Sequence, residues 1–288
     1  MLRLTRHARA ILLTVRAVCL VAILLCDSPS SAAPRQRIDV QGTHGRQPQL
    51  LEQLLAQLKP AAVGHPQLYF VGFAGYGGQA VFKREALAVR RLFDERFGTL
   101  QKSAVLINHD STINDIPLAT VPNLERVLLH LGQRVMDTSS DTLFLFLTSH
   151  GDKGELAIQM PRFTFAQLTP VQLKLTLDRA GIRNRVIVIS ACHSGSFIPA
   201  LADPRTLVIT AARADRSSFG CEDRRQWTYF GDAYFNRALR RETSFVGAFE
   251  YARRLIAGWE ATEKLTPSLP QIAGGEALGL PLAAVGRN

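Results

Sequence analysis

The chain has 288 residues, 47% of them apolar and 20% charged, a globular composition that excludes a disordered or fibrous protein. Its formal charge is +10, but the basic residues are scattered, with only short pairs such as Arg90-Arg91, Arg224-Arg225 and Arg240-Arg241. No aromatic-plus-basic motif accompanies them, so they read as solvated surface and no nucleic-acid partner is expected. Four cysteines exclude a disulfide-dense scaffold.

Residues 1–32 have the layout of a secretory signal peptide: Arg3, Arg6 and Arg9, then an apolar middle to Cys26, then the small residues Ser28 to Ala33. Its uninterrupted apolar stretch, Ala17 to Cys26, is too short to cross a bilayer core of ~30 Å as a helix. Cleavage after Ala32 removes four Arg and one Asp, leaving a charge of about +7 and only Cys192 and Cys221. The expectation is an exported protein, periplasmic or extracellular, that meets a membrane only if this segment stays uncleaved.

Residues 33–66 read as a polar lead-in and one amphipathic helix carrying Leu50, Leu51, Leu54, Leu55 and Leu58. From 67 to 288 the chain reads as one domain. Five apolar runs recur in it, Leu68-Phe73, Ala104-Asn108, Leu143-Thr148, Val186-Ser190 and Leu207-Ala211. They lack clear alternation, as strands buried on both faces do. Helical patterns separate them. Val89, Leu92, Phe93 and Phe97 form one, and Leu124, Val127, Leu128 and Leu131 another. A third runs from Thr169, a capping residue before Pro170, to Ala180, and a fourth from Val246 to Trp259. This order predicts an α/β layer with a mainly parallel sheet. The tail from Thr266, rich in Gly, Pro and Ala, reads as irregular.

Chemistry in open α/β sheets gathers at the carboxyl ends of strands. Two of the five runs end in reactive residues. Leu143-Thr148 leads through Ser149 to His150-Gly151, and Val186-Ser190 leads to Ala191-Cys192-His193-Ser194-Gly195. A helix at 169–180 joining them as parallel strands would make the two ends neighbours. Cys192 would then be a nucleophile and His150 its base, since the thiolate is the attacking form. His193 is poorly placed as base because successive side chains diverge. The backbone N–H groups of Gly151 and Cys192 make a candidate oxyanion hole. Each residue alone has an ordinary reading, a small core thiol or a surface imidazole; the pair of motifs is far more specific.

Thr148-Ser149-His150-Gly151 with Ser190-Ala191-Cys192-His193-Ser194-Gly195 resembles the legumain-like cysteine peptidases, family C13, in the clan that includes caspases, and the similarity is to bacterial members. A third block, Ser217-Ser218-Phe219-Gly220-Cys221 followed by Thr228-Tyr229-Phe230-Gly231-Asp232, is similar to the family's substrate-pocket segment. The resemblance covers about Leu68 to Ala273. It implies a caspase-like α/β/α sandwich and thiol-dependent endopeptidase chemistry on peptide or protein substrates through a thioester. It implies no metal and no cofactor. It makes His150 and Cys192 the dyad, with Ser190, Ser217, Ser218, Asp232 and Lys83 in the substrate pocket.

Three departures stand out. The family's acidic residue before Ala-Cys is Ser190 here, the pocket arginine falls near Lys83 or Arg84, and the asparagine that supports the histidine reads as Val81. They put strict asparagine specificity in question and keep two alternatives open: a transamidase on the same fold, and a catalytically silent binding module. The glycines of Gly72-Phe-Ala-Gly75-Tyr-Gly77-Gly78 lack a nucleotide-binding spacing and read as a flexible loop near the site. A Cys192–Cys221 disulfide is the rival reading of the two mature cysteines.

Overall fold

All five apolar runs are strands: β1 (Leu68–Ala74), β2 (Ser103–Ile107), β3 (Thr142–Thr148), β6 (Asn184–Ser190) and β7 (Thr206–Thr210), every residue of them buried. The structure, a computed structural model, describes residues 40–60 and 65–278; the expected signal peptide at 1–32 lies outside the described residues. A two-residue hairpin, β4 (Gly151–Asp152) and β5 (Glu155–Leu156), follows β3, and β8 (Gln271–Ala273) closes the sheet. The helices are α1 (Val40–Gln57), α2 (Ala80–Arg96), α3 (Val121–His130), α4 (Pro170–Arg179), α5 (Ile198–Leu201), α6 (Tyr229–Gly231) and α7 (Phe245–Thr262).

The sheet runs β2-β1-β3-β6-β7-β8. The first five strands pair in parallel, and β8 adds antiparallel to β7. Side chains alternate between two cores, as the pleat requires. Tyr69, Val71 and Phe73 enter the core shared with α1, α3 and α4, while Phe70 and Ala74 enter the core shared with α2 and α7. Both faces of the sheet are thus covered by helices, an α/β/α sandwich.

Two expectations about the ends of the chain change. α1 begins at Val40, ahead of the leucine stripe, and runs through Gly45 and Pro48. Leu51, Leu54, Leu55 and Leu58 are buried in the first core, each contributing about 1.5–3 kcal/mol by burial, and this tertiary packing overrides the weak helix propensity of Gly and Pro. The Gly- and Pro-rich tail is not wholly irregular, since Gln271–Ala273 pairs with Val208–Thr210.

α4 starts as its sequence indicates. Thr169 Oγ1 accepts from the Gln172 N–H at 3.2 Å while Gln172 Oε1 reaches back to the Thr169 N–H at 3.1 Å, a reciprocal cap with Pro170 in the first turn. This helix carries the chain from β3 back to β6 and so sets the two strands side by side. No helix of the described residues is long and apolar enough to cross a membrane.

Candidate active site

β3 and β6 are neighbours in full register, with Thr148 opposite Ser190. His150 and Cys192 therefore each lie two residues past a paired position, at the same end of adjacent central strands. The Ser149 N–H donates to the Ser190 carbonyl at 3.2 Å, extending the pairing past the strand ends. Gly151 then comes so close to the other chain that a β-carbon there would lie 2.6 Å from the Cys192 carbonyl oxygen and 3.1 Å from Ala191 Cβ. The glycine is needed because the histidine loop and the cysteine loop touch backbone to backbone. His193, directly after the cysteine, has φ of 55°. Its N–H donates to the Arg216 carbonyl, and its Nδ1 lies 3.1 Å from the Ala214 carbonyl. That side chain is committed to the loop after β7.

The His150 ring is boxed in. Tyr76 and Phe82 meet it edge-on at centroid distances of 4.5 and 5.2 Å. Burial lowers its pKa from the usual imidazole value, because desolvation penalises the cation. Its Nε2 lies 2.7 Å from Gln79 Oε1. A carboxamide oxygen accepts, so Nε2 carries the proton and Nδ1 keeps its lone pair. Gln79 is the residue before α2, in extended conformation with φ −136° and ψ 125°, and its side chain makes no capping hydrogen bond to that helix but reaches His150 instead. The family's supporting asparagine corresponds in sequence to Val81, which is buried in the second core; the amide beside His150 comes from Gln79 instead. Nothing in the local spacing announces Gln79, because its reach depends on the turn before α2.

The loop carrying Tyr76 is tied down rather than flexible. The Gly75 N–H donates to the Thr148 carbonyl, the Gly77 N–H to the Gln159 carbonyl and the Gln159 N–H to the Gly75 carbonyl. A β-carbon at Gly75 would lie 2.5 Å from the Ala157 carbonyl oxygen.

Cys192 and Cys221 are free thiols, each half-buried. The segment 217–221 wraps the first of them: the Ser218 N–H donates to Cys192 Sγ at 3.3 Å, and Cys192 Sγ lies 3.6 Å from the Ser218 carbonyl. Burial, then the proximity of Cys192, pushes the Cys221 thiol pKa up, so Cys221 ionises less readily than an ordinary thiol.

The expected pocket residues separate into two groups. Ser218 contacts Cys192 Sγ, with Ser217 the residue before it in the chain, and Ser190, two residues before Cys192, has its Oγ 3.1 Å from Thr228 Oγ1. Lys83 and Asp232 are engaged elsewhere. Lys83 Nζ donates to Ser111 Oγ at 2.7 Å and lies 3.3 Å from His109 Nδ1, on the loop after β2. Its pKa is lowered by burial and by the neighbouring Arg84. Asp232 accepts from Asn236 and Arg237 in the next helical turn. Among the described residues no group of three or more His, Cys, Asp or Glu is placed to hold a metal ion.

The Peptidase C13 family matches residues 123–277, more than half of the chain and the span that holds both strand-end motifs. Legumain of Canavalia ensiformis is 32% identical over 91 residues, 31% of this chain. The matched stretch is 19% of that legumain's length, so the chain spans about a fifth of the curated relative it matches. Among solved structures, caspase-1 from Spodoptera frugiperda superposes with a TM-score of 0.51 at 13% identity, covering 74% of this chain and 88% of that one. That likeness shows the fold: a caspase-like sandwich with a mainly parallel sheet. The strand-end motifs, the sheet that aligns them and the sequence match together show that the chain belongs to the Peptidase C13 family, the legumain-like cysteine peptidases.

Proposed function

We propose that the chain is an exported cysteine endopeptidase in which Cys192 is the nucleophile and His150 its base. The observation that carries this reading is the register of β3 and β6, which sets the two residues on matching strand ends with their loops in backbone contact. Gln79 fixes the His150 tautomer and leaves Nδ1 to take the thiol proton. The Cys192 thiolate attacks the peptide carbonyl carbon, and the oxyanion is held by the N–H groups of Gly151 and Cys192. His150 returns the proton to the leaving amine as the C–N bond breaks, leaving a thioester on Cys192. Water, deprotonated by the same imidazole, cleaves the thioester and restores the thiol.

The asparagine missing at position 81 is the argument for a silent binding module. The Gln79 amide on His150 Nε2 supplies that support from another residue and favours an active enzyme. Cleavage of a peptide library by the wild type and by Cys192→Ala, side by side, is the test. The wild type is expected to yield defined products and Cys192→Ala none; full cleavage by Cys192→Ala would refute the mechanism.

A further inference from the structure

Beneath the two strand ends lies a carboxylate that the proposed chemistry does not use. Glu85, on α2, is 0% exposed. Its Oε2 accepts from Thr148 Oγ1 at 2.6 Å, and its Oε1 accepts from the Thr228 N–H at 3.1 Å and from Thr228 Oγ1 at 2.7 Å. Thr228 Oγ1 also accepts from the Gly231 N–H and lies 3.1 Å from Ser190 Oγ. Gly231 packs so tightly on this carboxylate that a β-carbon there would overlap it. One buried acid thus joins the residue two before His150, the segment that leads into α6 and, through Thr228, the residue two before Cys192.

The loop from 217 to 228 is clamped at further points on the same helix. Asp223 Oδ1 accepts from the Ala80 N–H at 2.7 Å, at the first residue of α2. Arg84 donates to the carbonyls of Asp223 and Arg225. At its other end the loop lays Ser218 on Cys192 Sγ. α2 is therefore the element against which the loop is set, and Glu85 is its innermost contact. A buried carboxylate is costly unless its lone pairs are filled, and here three donors converge on it from two separate segments.

We propose that Glu85 is a positioning residue for substrate binding: its carboxylate holds the 217–228 loop in register with the strand ends that carry His150 and Cys192. The inference rests on the peptidase reading, because the loop matters to turnover only if peptide binds along it. A merely structural acid would affect melting without changing how substrate binds. A positioning acid changes KM while the chemistry at Cys192 persists.

The experiment measures kcat and KM on a cleavable peptide, and the rate of Cys192 alkylation by iodoacetamide, for the wild type, Glu85→Gln and Thr148→Val. Glu85→Gln keeps the shape but places an amide donor against a donor. It is expected to raise KM about tenfold, the loss of roughly one well-made hydrogen bond, with the alkylation rate within about twofold of wild type. Thr148→Val removes one donor of the three and is expected to raise KM in the same direction; it carries the test if Glu85→Gln does not fold. KM unchanged in the folded variants would overturn the proposal, as would a loss confined to kcat. A wild type without Cys192-dependent cleavage overturns the peptidase reading, and this inference with it, whereas an active wild type matched by both variants overturns this inference alone.

Discussion

His150 is held neutral by its surroundings, and this decides how activity should follow pH. Burial between Tyr76 and Phe82 lowers its pKa, so the base form persists below the ordinary imidazole value of about 6.5. The acid limb of kcat/KM is expected below that value, as an apparent ionisation of the coupled Cys–His pair. Replacing Gln79 by Leu removes the acceptor on Nε2 and should lower kcat about tenfold with little change in KM, since a lost hydrogen bond of ~1.4 kcal/mol is a factor of ten. Replacing it by Glu puts a carboxylate against the imidazole, stabilises the cation and should move the acid limb to higher pH. Stopped kinetic assays across the pH range check both; identical profiles for wild type and Gln79→Glu would show that the contact does not act on the base. The proposed pair was legible in the sequence, because a histidine-glycine and a cysteine each followed a buried apolar run. Gln79 was not. Its role depends on a backbone turn that points a polar side chain across to another strand, and no spacing in the sequence encodes that direction.

At the scale of elements, the close approach of the histidine and cysteine loops is the feature most sensitive to a single atom. Gly151 has room for hydrogen only, with the Cys192 carbonyl on one side and Ala191 Cβ on the other. A methyl group there must push the loops apart, a strain of about 1–3 kcal/mol in a packed site. Gly151→Ala should therefore fold with a lowered melting temperature and lose cleavage at least about tenfold, as a small misplacement of reacting groups does. Wild-type turnover by Gly151→Ala would mean that the two loops do not need this contact. Strands were the most legible elements, because residues buried on both faces must be apolar throughout, as in Leu143-Phe-Leu-Phe-Leu. α4 was legible from its cap, Thr169 and Pro170. Less was readable at the edges. α1 includes Gly45 and Pro48 because its leucines are needed in the core, and β8 forms from a Gly- and Pro-rich tail because the edge of β7 that faces away from β6 offers it a hydrogen-bonding partner. The hydrogen bonds that clamp the 217–228 loop on α2 join residues about 140 positions apart and leave no local pattern.

For the whole molecule, a sheet with helices on both faces explains why the candidate site lies where it does. Parallel strands deliver their carboxyl ends to one edge, and the central pair, β3 and β6, delivers His150 and Cys192 together. Apolar side chains fill the cores on both faces of these strands, with the Glu85 carboxylate buried under the strand ends, so the loops at that edge are set on a rigid base. In the proposed mechanism Cys192 becomes acylated during turnover. Acid quenching of the full chain with an excess of cleavable peptide, followed by mass mapping, measures this directly. An acyl fragment of the substrate is expected on the peptide that contains Cys192, absent in Cys192→Ala and strongly diminished in His150→Ala. Continued peptide cleavage with Cys192 unmodified, or with Cys192 replaced by alanine, would contradict it.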